Sequence, residues 1–167
     1  MITVQRTIMN AFVSIAALLF LLSLSQAYAQ VAGNEDRPLV SGGDFRKLDS
    51  LTAPLVDSAR KSWPAVRKRF LKGLPTDQIL FVMTRLTDAE GKFEQIFLQV
   101  GGIAGDTIEG TIASDVMAIR GIRHGDPHSI READLLDWSI VHPDGSEEGN
   151  VVGKFLDWLQ NPEENDR

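Results

Sequence analysis

The chain has 167 residues, of which 43% are hydrophobic and 24% charged, and these ordinary globular proportions indicate one folded domain rather than a disordered chain. Cysteine is absent, which excludes disulfides, thiol nucleophiles, thiolate metal sites and a lipidated cysteine. Residues 30–167 carry 16 basic and 23 acidic side chains, so their acidic surface repels phosphate backbones and makes nucleic acid a poor candidate partner.

The first predicted element is a cleavable signal peptide over residues 1–29. Arg6 supplies its positive charge, and an uncharged apolar run of 14 residues follows over Ala11–Leu24. Ala27 and Ala29 are small residues at the two positions that a signal peptidase reads, so we expect cleavage after Ala29. The alternative is an uncleaved membrane anchor, although a membrane span needs about 20 apolar residues. The sequence therefore predicts a periplasmic or secreted protein with no membrane span after cleavage.

The predicted folded domain covers residues 51–160, between a flexible leader over 30–50 and a polar tail over 161–167. Its first helix is predicted over Leu51–Leu71. Apolar side chains recur there at steps of three and four and so share one face, namely Leu55, Ala59, Trp63, Val66 and Phe70. Pro64 lies inside this pattern and should kink or split the helix, because proline removes a backbone donor.

About five short strands are predicted next, over Gln78–Thr87, Lys92–Val100, Thr107–Ala113, His128–Arg131 and Trp138–His142. Tight turns join them, so the sheet should be antiparallel. A final helix over Val151–Gln160, with Asn150 as its N-cap, is predicted to bury one face made of Val152, Phe155, Leu156 and Leu159. The class is therefore α+β, a strongly bent antiparallel sheet or small open barrel flanked by terminal helices.

Several short motifs follow one another along this domain, including Ala59–Pro64, Phe97–Val100, Ile108–Ile112, Gly125–Asp126 and Asp137–Trp138. The most specific stretch is Asp144–Asn150, which leads into Gly153–Leu156. In their order and spacing, over roughly residues 57–159, these motifs resemble the YegJ-like bacterial domain of unknown function. The resemblance implies the same fold class. It carries over no catalytic residue, because that family has no established activity.

The segment His124–His128 holds two imidazoles and the carboxylate of Asp126. These groups would share a face if the segment were extended, and they could then bind a transition metal. Gly125 and Pro127 favour a turn instead, and the spacing matches no established zinc pattern. We therefore predict no metal site here.

A second candidate group consists of carboxylates, namely Glu132, Asp134, Asp137, Glu147 and Glu148. Paired carboxylates perform acid–base chemistry when their pKa values are driven apart. Charged side chains are far more often solvated, so the favoured interpretation is an exposed loop surface.

A third candidate is a basic run on the first helix, with no acidic residue inside it, made of Arg60, Lys61, Arg67, Lys68, Arg69 and Lys72. It could contact an acidic partner or an anionic lipid surface. The solvated face of an amphipathic helix is the simpler interpretation.

No catalytic, cofactor-binding or metal-binding residue is predicted. The leading hypothesis is a non-catalytic periplasmic module that binds a protein or peptide partner in the cell envelope. The alternatives are an inhibitor of an exported toxin or envelope enzyme, a small hydrolase using the carboxylates or His124 and His128, and a structural envelope component. Trp63, Trp138 and Trp158 are interpreted as core or edge packing, whereas exposed tryptophans gathered in one groove would mark a ligand site.

Overall fold

The computed structural model describes residues 42–160, with side chains described from 47 to 159. The predicted signal peptide, most of the leader and the polar tail lie outside the described residues. The elements are α1 (Gly42–Lys72), β1 (Ile79–Thr87), β2 (Phe93–Ala104), β3 (Thr107–Ile112), β4 (Pro127–Arg131), a short 3-10 helix (Glu132–Asp134), β5 (Asp137–Val141), β6 (Glu147–Gly149) and α2 (Val151–Gln160).

The six strands form one antiparallel sheet in the order β4-β3-β2-β1-β5-β6. The predicted α+β class is therefore confirmed, and all five predicted strands are present. The sixth strand, β6, was not predicted, because three residues with two glutamates show no alternation of apolar and polar side chains. A bulge at Gly101 shifts the register between β2 and β3, which increases the local twist of the sheet.

One face of the sheet forms the main core with α1. Val82 of β1 pairs with Leu98 of β2 on one side and with Trp138 of β5 on the other. Ala59, Trp63 and Val66 of α1 belong to the same buried cluster. The predicted apolar face of the first helix is confirmed for these three residues, while Leu55 and Phe70 are half-buried.

The opposite face of the sheet is also covered. Side chains alternate along a strand, so the buried residues Phe81, Met83 and Phe97 lie on this second face. Helix α2 begins here, because the Val152 amide donates to Asp137 of β5. Val152 and Leu156 are buried as predicted.

Helix α1 begins at Gly42, nine residues before the predicted start at Leu51. Near this end, Arg85 of β1 donates to Asp49 at 2.6 Å, a contact between distant parts of the chain that local composition does not indicate. The helix also continues through Pro64, so of the two predicted outcomes the split is wrong, while the kink stays a prediction. Buried Trp63 and Val66 on either side of the proline supply packing that offsets the lost hydrogen bond.

Both edge strands of the sheet are short, at five residues for β4 and three for β6. Strand β4 begins at Pro127, which has no backbone N–H to offer. Along β6, the Lys154 ammonium of α2 donates to the carbonyl oxygens of Glu147 at 3.4 Å and Gly149 at 3.0 Å. The backbone groups that an edge strand normally presents to a second strand are thus partly occupied.

Candidate functional site

Asp137, at the start of β5, is the most deeply placed of the predicted carboxylates and is completely buried. Its Oδ1 accepts the Trp138 amide at 2.8 Å and its Oδ2 accepts the Val152 amide at 2.6 Å. Val152 lies in the first turn of α2, where amides have no partner inside the helix and the helix dipole favours negative charge. Burial raises the pKa of Asp137, against the opposing effect of backbone hydrogen bonds. A solvated surface is therefore wrong for Asp137, which caps α2.

The junction between β6 and α2 is a tight turn. Asn150 has a positive φ of 55°, and its carbonyl accepts the Lys154 amide at 3.0 Å. Its side-chain nitrogen donates to Glu147 at 2.7 Å, and its Oδ1 accepts no hydrogen bond within the described residues. Asn150 therefore holds the predicted N-cap position, but the prediction that its side chain caps α2 is wrong. The preceding Gly149 has φ 85°, and a Cβ there would lie 2.3 Å from the Trp138 carbonyl oxygen. This close approach explains why glycine precedes the helix.

The remaining carboxylates of the predicted group each lie against a different cationic or polar group. Glu132 accepts Arg67 at 2.6 Å, and Asp134 accepts Arg131 at 2.9 Å. Glu148 accepts Arg69 at 2.5 Å, and this hydrogen bond lowers the pKa of Glu148. The structure therefore distributes these carboxylates among separate ion pairs rather than bringing them together in one cleft.

The basic run of α1 divides by residue type. Arg60 donates to the carbonyl oxygens of Leu135 at 2.8 Å and Ala133 at 3.0 Å. Arg67 donates to Gly105 O at 2.9 Å in addition to Glu132. The lysines of the run are exposed and have no hydrogen-bond or ion-pair partner among residues 42–160, namely Lys61, Lys68 and Lys72. The arginines thus attach α1 to the rest of the domain, whereas the lysines face solvent.

The histidine segment forms a turn, as predicted. Gly125 has φ 83°, and Asp126 accepts the Arg123 amide at 3.0 Å, so this carboxylate stabilises its own loop. His124 is exposed in the turn, while His128 is half-buried on β4 opposite Gly110. Within residues 42–160, no group of three or more histidine, cysteine, aspartate or glutamate side chains is placed to hold a metal ion.

The outer face of α2 carries an apolar patch, defined here as Val151, Phe155, Trp158 and Leu159. The rings of Phe155 and Trp158 stack with centroids 6.1 Å apart and an interplanar angle of 21°. Trp158 is 51% exposed, whereas Trp63 and Trp138 are 5% and 7% exposed. Core packing is thus confirmed for Trp63 and Trp138. Trp158 packs at the edge of the domain against Phe155 and leaves about half of its surface exposed.

Sequence reasoning missed this apolar patch because it assigned a single buried face to the helix. Leu159, predicted to be buried, is 38% exposed, and Phe155 is half-buried. The missed signal was the spacing of Val151, Phe155 and Trp158 at i, i+4 and i+7. That spacing makes a second apolar stripe beside the buried pair Val152 and Leu156.

No helix in the described part of the chain is long and apolar enough to cross a membrane. The family model described as "uncharacterized protein conserved in bacteria (DUF2314)" matches residues 58–166, a range that includes the C-terminal half of α1, the whole sheet and α2. No curated protein and no solved structure matches the chain. On the extent of the family match, the chain belongs to this family of uncharacterized conserved bacterial proteins.

Proposed function

We propose that the chain is an exported, non-catalytic module that binds a protein or peptide partner in the bacterial cell envelope through the apolar patch of α2. The observation that carries this proposal is the stacked pair of Phe155 and Trp158 on the outer face of that helix. Tryptophan is enriched among the residues that dominate binding energy at protein interfaces, since it combines a large apolar area with an indole N–H donor.

The contrast among the three tryptophans supports a binding role for the third. Trp138 packs in the core and donates its indole N–H to Ser62 at 2.8 Å, and Trp63 is buried in the same cluster. Trp158 instead leaves half its surface in water. Its neighbours Val151 and Leu159 are 37% and 38% exposed, so the apolar area is continuous along the helix. Continuous apolar area on a small domain is typical of an interaction site.

The non-catalytic part of the proposal rests on how the predicted carboxylates are used. Asp137 caps α2, while Glu132 and Glu148 attach the 3-10 helix and β6 to α1. General acid–base catalysis needs carboxyl groups placed within reach of a substrate proton. These three groups accept hydrogen bonds from the protein itself at 2.5–2.6 Å.

Export and the narrower YegJ-like assignment belong to the same proposal. Export is supported by the apolar run Ala11–Leu24 and by the small residues Ala27 and Ala29. The YegJ-like assignment is supported by the motif Asp144–Asn150, which includes β6 and the turn before α2. An inhibitor of an exported toxin or envelope enzyme is a narrower form of the proposal, and the acidic balance of residues 30–167 suits a basic target of that kind.

Photo-crosslinking in cells that export the protein tests the patch. A benzophenone amino acid at Leu159, at the border of the patch, should give one discrete protein adduct. The adduct should disappear when Trp158→Ser is added, because loss of an interface tryptophan costs affinity by about 30-fold or more. The matched control places the same amino acid at Met117, which is 79% exposed and lies on a different loop, and it should give no such adduct.

Two results would contradict the proposal. One is an adduct that persists at full yield in the Trp158→Ser variant, since the patch would then not form the contact. The other is equal crosslinking from positions 159 and 117, which would indicate random encounters. If the adduct is an enzyme, its activity with and without the bound protein distinguishes an inhibitor from a passive binding module.

A further inference from the structure

The outer face of α1 carries a line of lysines, here called the lysine row and consisting of Lys47, Lys61, Lys68 and Lys72. Their spacings of 14, 7 and 4 residues place all four within an arc of about 60° around the helix, at 100° per residue. All four are exposed. From first to last the row is about 37 Å long, at a rise of 1.5 Å per residue. The row therefore forms one cationic ridge along α1.

Within the part of the chain that the structure describes, no ion pair neutralises the positive charge of this ridge. None of the four lysines has a hydrogen-bond or ion-pair partner in the described part of the chain. The acidic residue Asp57 lies on the same face, but the four lysines outnumber it, so the net charge of the ridge is positive. By contrast, Arg60, Arg67 and Arg69 of the same helix donate to groups on the sheet side.

We propose that the lysine row docks α1 along an anionic phospholipid surface. On α1 the arginines bind other parts of the domain and the lysines do not, and this difference favours a lipid surface over a protein as the binding partner of the lysines. Arginine presents a rigid fork that suits carboxylates in fixed positions, whereas lysine is a flexible, strongly hydrated point charge. A fluid layer of phosphate headgroups offers no fixed geometry, so flexible lysine charges suit it better than rigid arginine forks.

Two exposed leucines lie on the flanks of the ridge. Leu51 and Leu71 are 46% and 52% exposed, and they lie about 80° to either side of Lys61 around the helix. Side chains at that angle point nearly parallel to a surface that the lysines face, so the leucines flank the contact rather than insert into it.

The acidic character of the rest of the domain does not prevent this contact. The body of α1, about 10 Å thick, separates the sheet from the ridge. Charges are largely screened beyond about 8 Å at physiological salt, so a surface that touches the ridge is screened from the acidic side chains of the sheet. Each lysine near an anionic surface raises binding by about fivefold. The contact is therefore weak, reversible and sensitive to salt.

Vesicle co-sedimentation of the full chain tests the proposal. Vesicles of mixed phosphatidylglycerol and phosphatidylcholine are compared with phosphatidylcholine alone, at low and high salt. Residues 1–29 are the same in every variant, so any contribution they make is common to all. The row variant carries three substitutions in the lysine row: Lys61→Gln, Lys68→Gln and Lys72→Gln. A charge-matched control carries three substitutions on exposed basic residues elsewhere: Lys92→Gln, Arg120→Gln and Arg123→Gln.

The row variant should partition onto the anionic vesicles on the order of a hundredfold less than the wild type. The control should stay within about threefold of the wild type, because charge away from the contact is screened. Asp57→Asn removes the opposing charge on the ridge and should raise partitioning by about fivefold. High salt should abolish the differences among all four proteins.

Three results would overturn the proposal. They are equal losses in the row variant and the control, equal binding to anionic and neutral vesicles, and a row variant that binds anionic vesicles as the wild type does. If the row variant binds anionic vesicles as the wild type does but no longer crosslinks to an acidic protein, the lysine row binds that protein and not lipid. None of them bears on the apolar patch of α2, so the two proposals fail independently.

Discussion

The two helices are attached to the same sheet in different ways. Helix α1 distributes its attachments over 31 residues, through three buried apolar side chains and through arginines that donate to carbonyl and carboxylate groups elsewhere in the chain. Helix α2 has 10 residues, buries Val152 and Leu156 and packs against α1 and β5. Its start is fixed by one carboxylate and one glycine turn. We therefore expect α1 to tolerate the loss of any single contact and α2 to be sensitive at its junction.

The largest effect is expected from Gly149→Ala, at the junction of α2. The new Cβ would lie 2.3 Å from the Trp138 carbonyl oxygen and 2.8 Å from its ring, at a φ of 85°. Strain and overlap together should lower the free energy of unfolding by about 3 kcal/mol. Urea unfolding followed by tryptophan fluorescence measures this loss.

A matched control for Gly149→Ala is Gly145→Ala. Gly145 has nearly the same φ, 80°, with no atom within 4 Å of the added Cβ. It should therefore lose only the conformational part, about 1 kcal/mol. Equal losses for the two variants would show that the contact with Trp138 contributes nothing.

The second effect concerns the buried carboxylate. Asp137→Ala leaves the amides of Trp138 and Val152 without their acceptor, and an unsatisfied buried donor costs about 1–3 kcal/mol. Relief of a buried charge whose pKa is raised offsets part of this, so we expect a net loss of about 2 kcal/mol. Hydrogen exchange should speed up first at the amides of α2.

Asp137→Asn separates the capping contact from the charge. It keeps an acceptor oxygen of nearly the same shape, so it should retain more stability than the alanine variant. If the free energy of unfolding of Asp137→Ala lies within about 0.5 kcal/mol of the wild-type value, the Asp137 cap does not hold α2 on the sheet.

The smallest effect is expected in α1. Arg60→Ala removes two hydrogen bonds to carbonyl oxygens, but the residue is exposed and the apolar stripe remains. We expect a loss of about 1 kcal/mol, against less than about 0.5 kcal/mol for the neighbouring Lys61→Ala. If the same urea unfolding shows a larger loss of unfolding free energy for Arg60→Ala than for Asp137→Ala, the proposed contrast between the helices is reversed.

Much of the fold was predictable because the strands alternate and the turns between them are tight. Phe81 and Val82 both lie in an apolar run, and both are buried because the two faces of the sheet are covered. The early start of α1 was not predictable. The glycine pair Gly42–Gly43 indicates a loop, and the contact of Asp49 with Arg85 appears only when the chain is folded.

The site was less predictable than the fold, because the roles of its residues depend on distant partners. Asp137 is separated from Val152 by 15 positions, and nothing local marks it as the carboxylate that caps α2. Arg67 and Lys68 are adjacent and equally basic in sequence, yet Arg67 binds Glu132 while Lys68 has no partner among the described residues. Only the folded arrangement separates structural cations from those free for other contacts.

The ammonium of Lys154, which spans two carbonyl oxygens of β6, has a consequence for crowded solutions. A neighbouring copy that tried to extend the sheet at this edge would first have to displace a cation from the acceptors it needs. Acetylation of that amine would remove the charge. The carbonyl oxygens of the β6 edge would then be open to pairing with a strand of another copy. One side chain of the shorter helix therefore helps to keep copies of the domain apart.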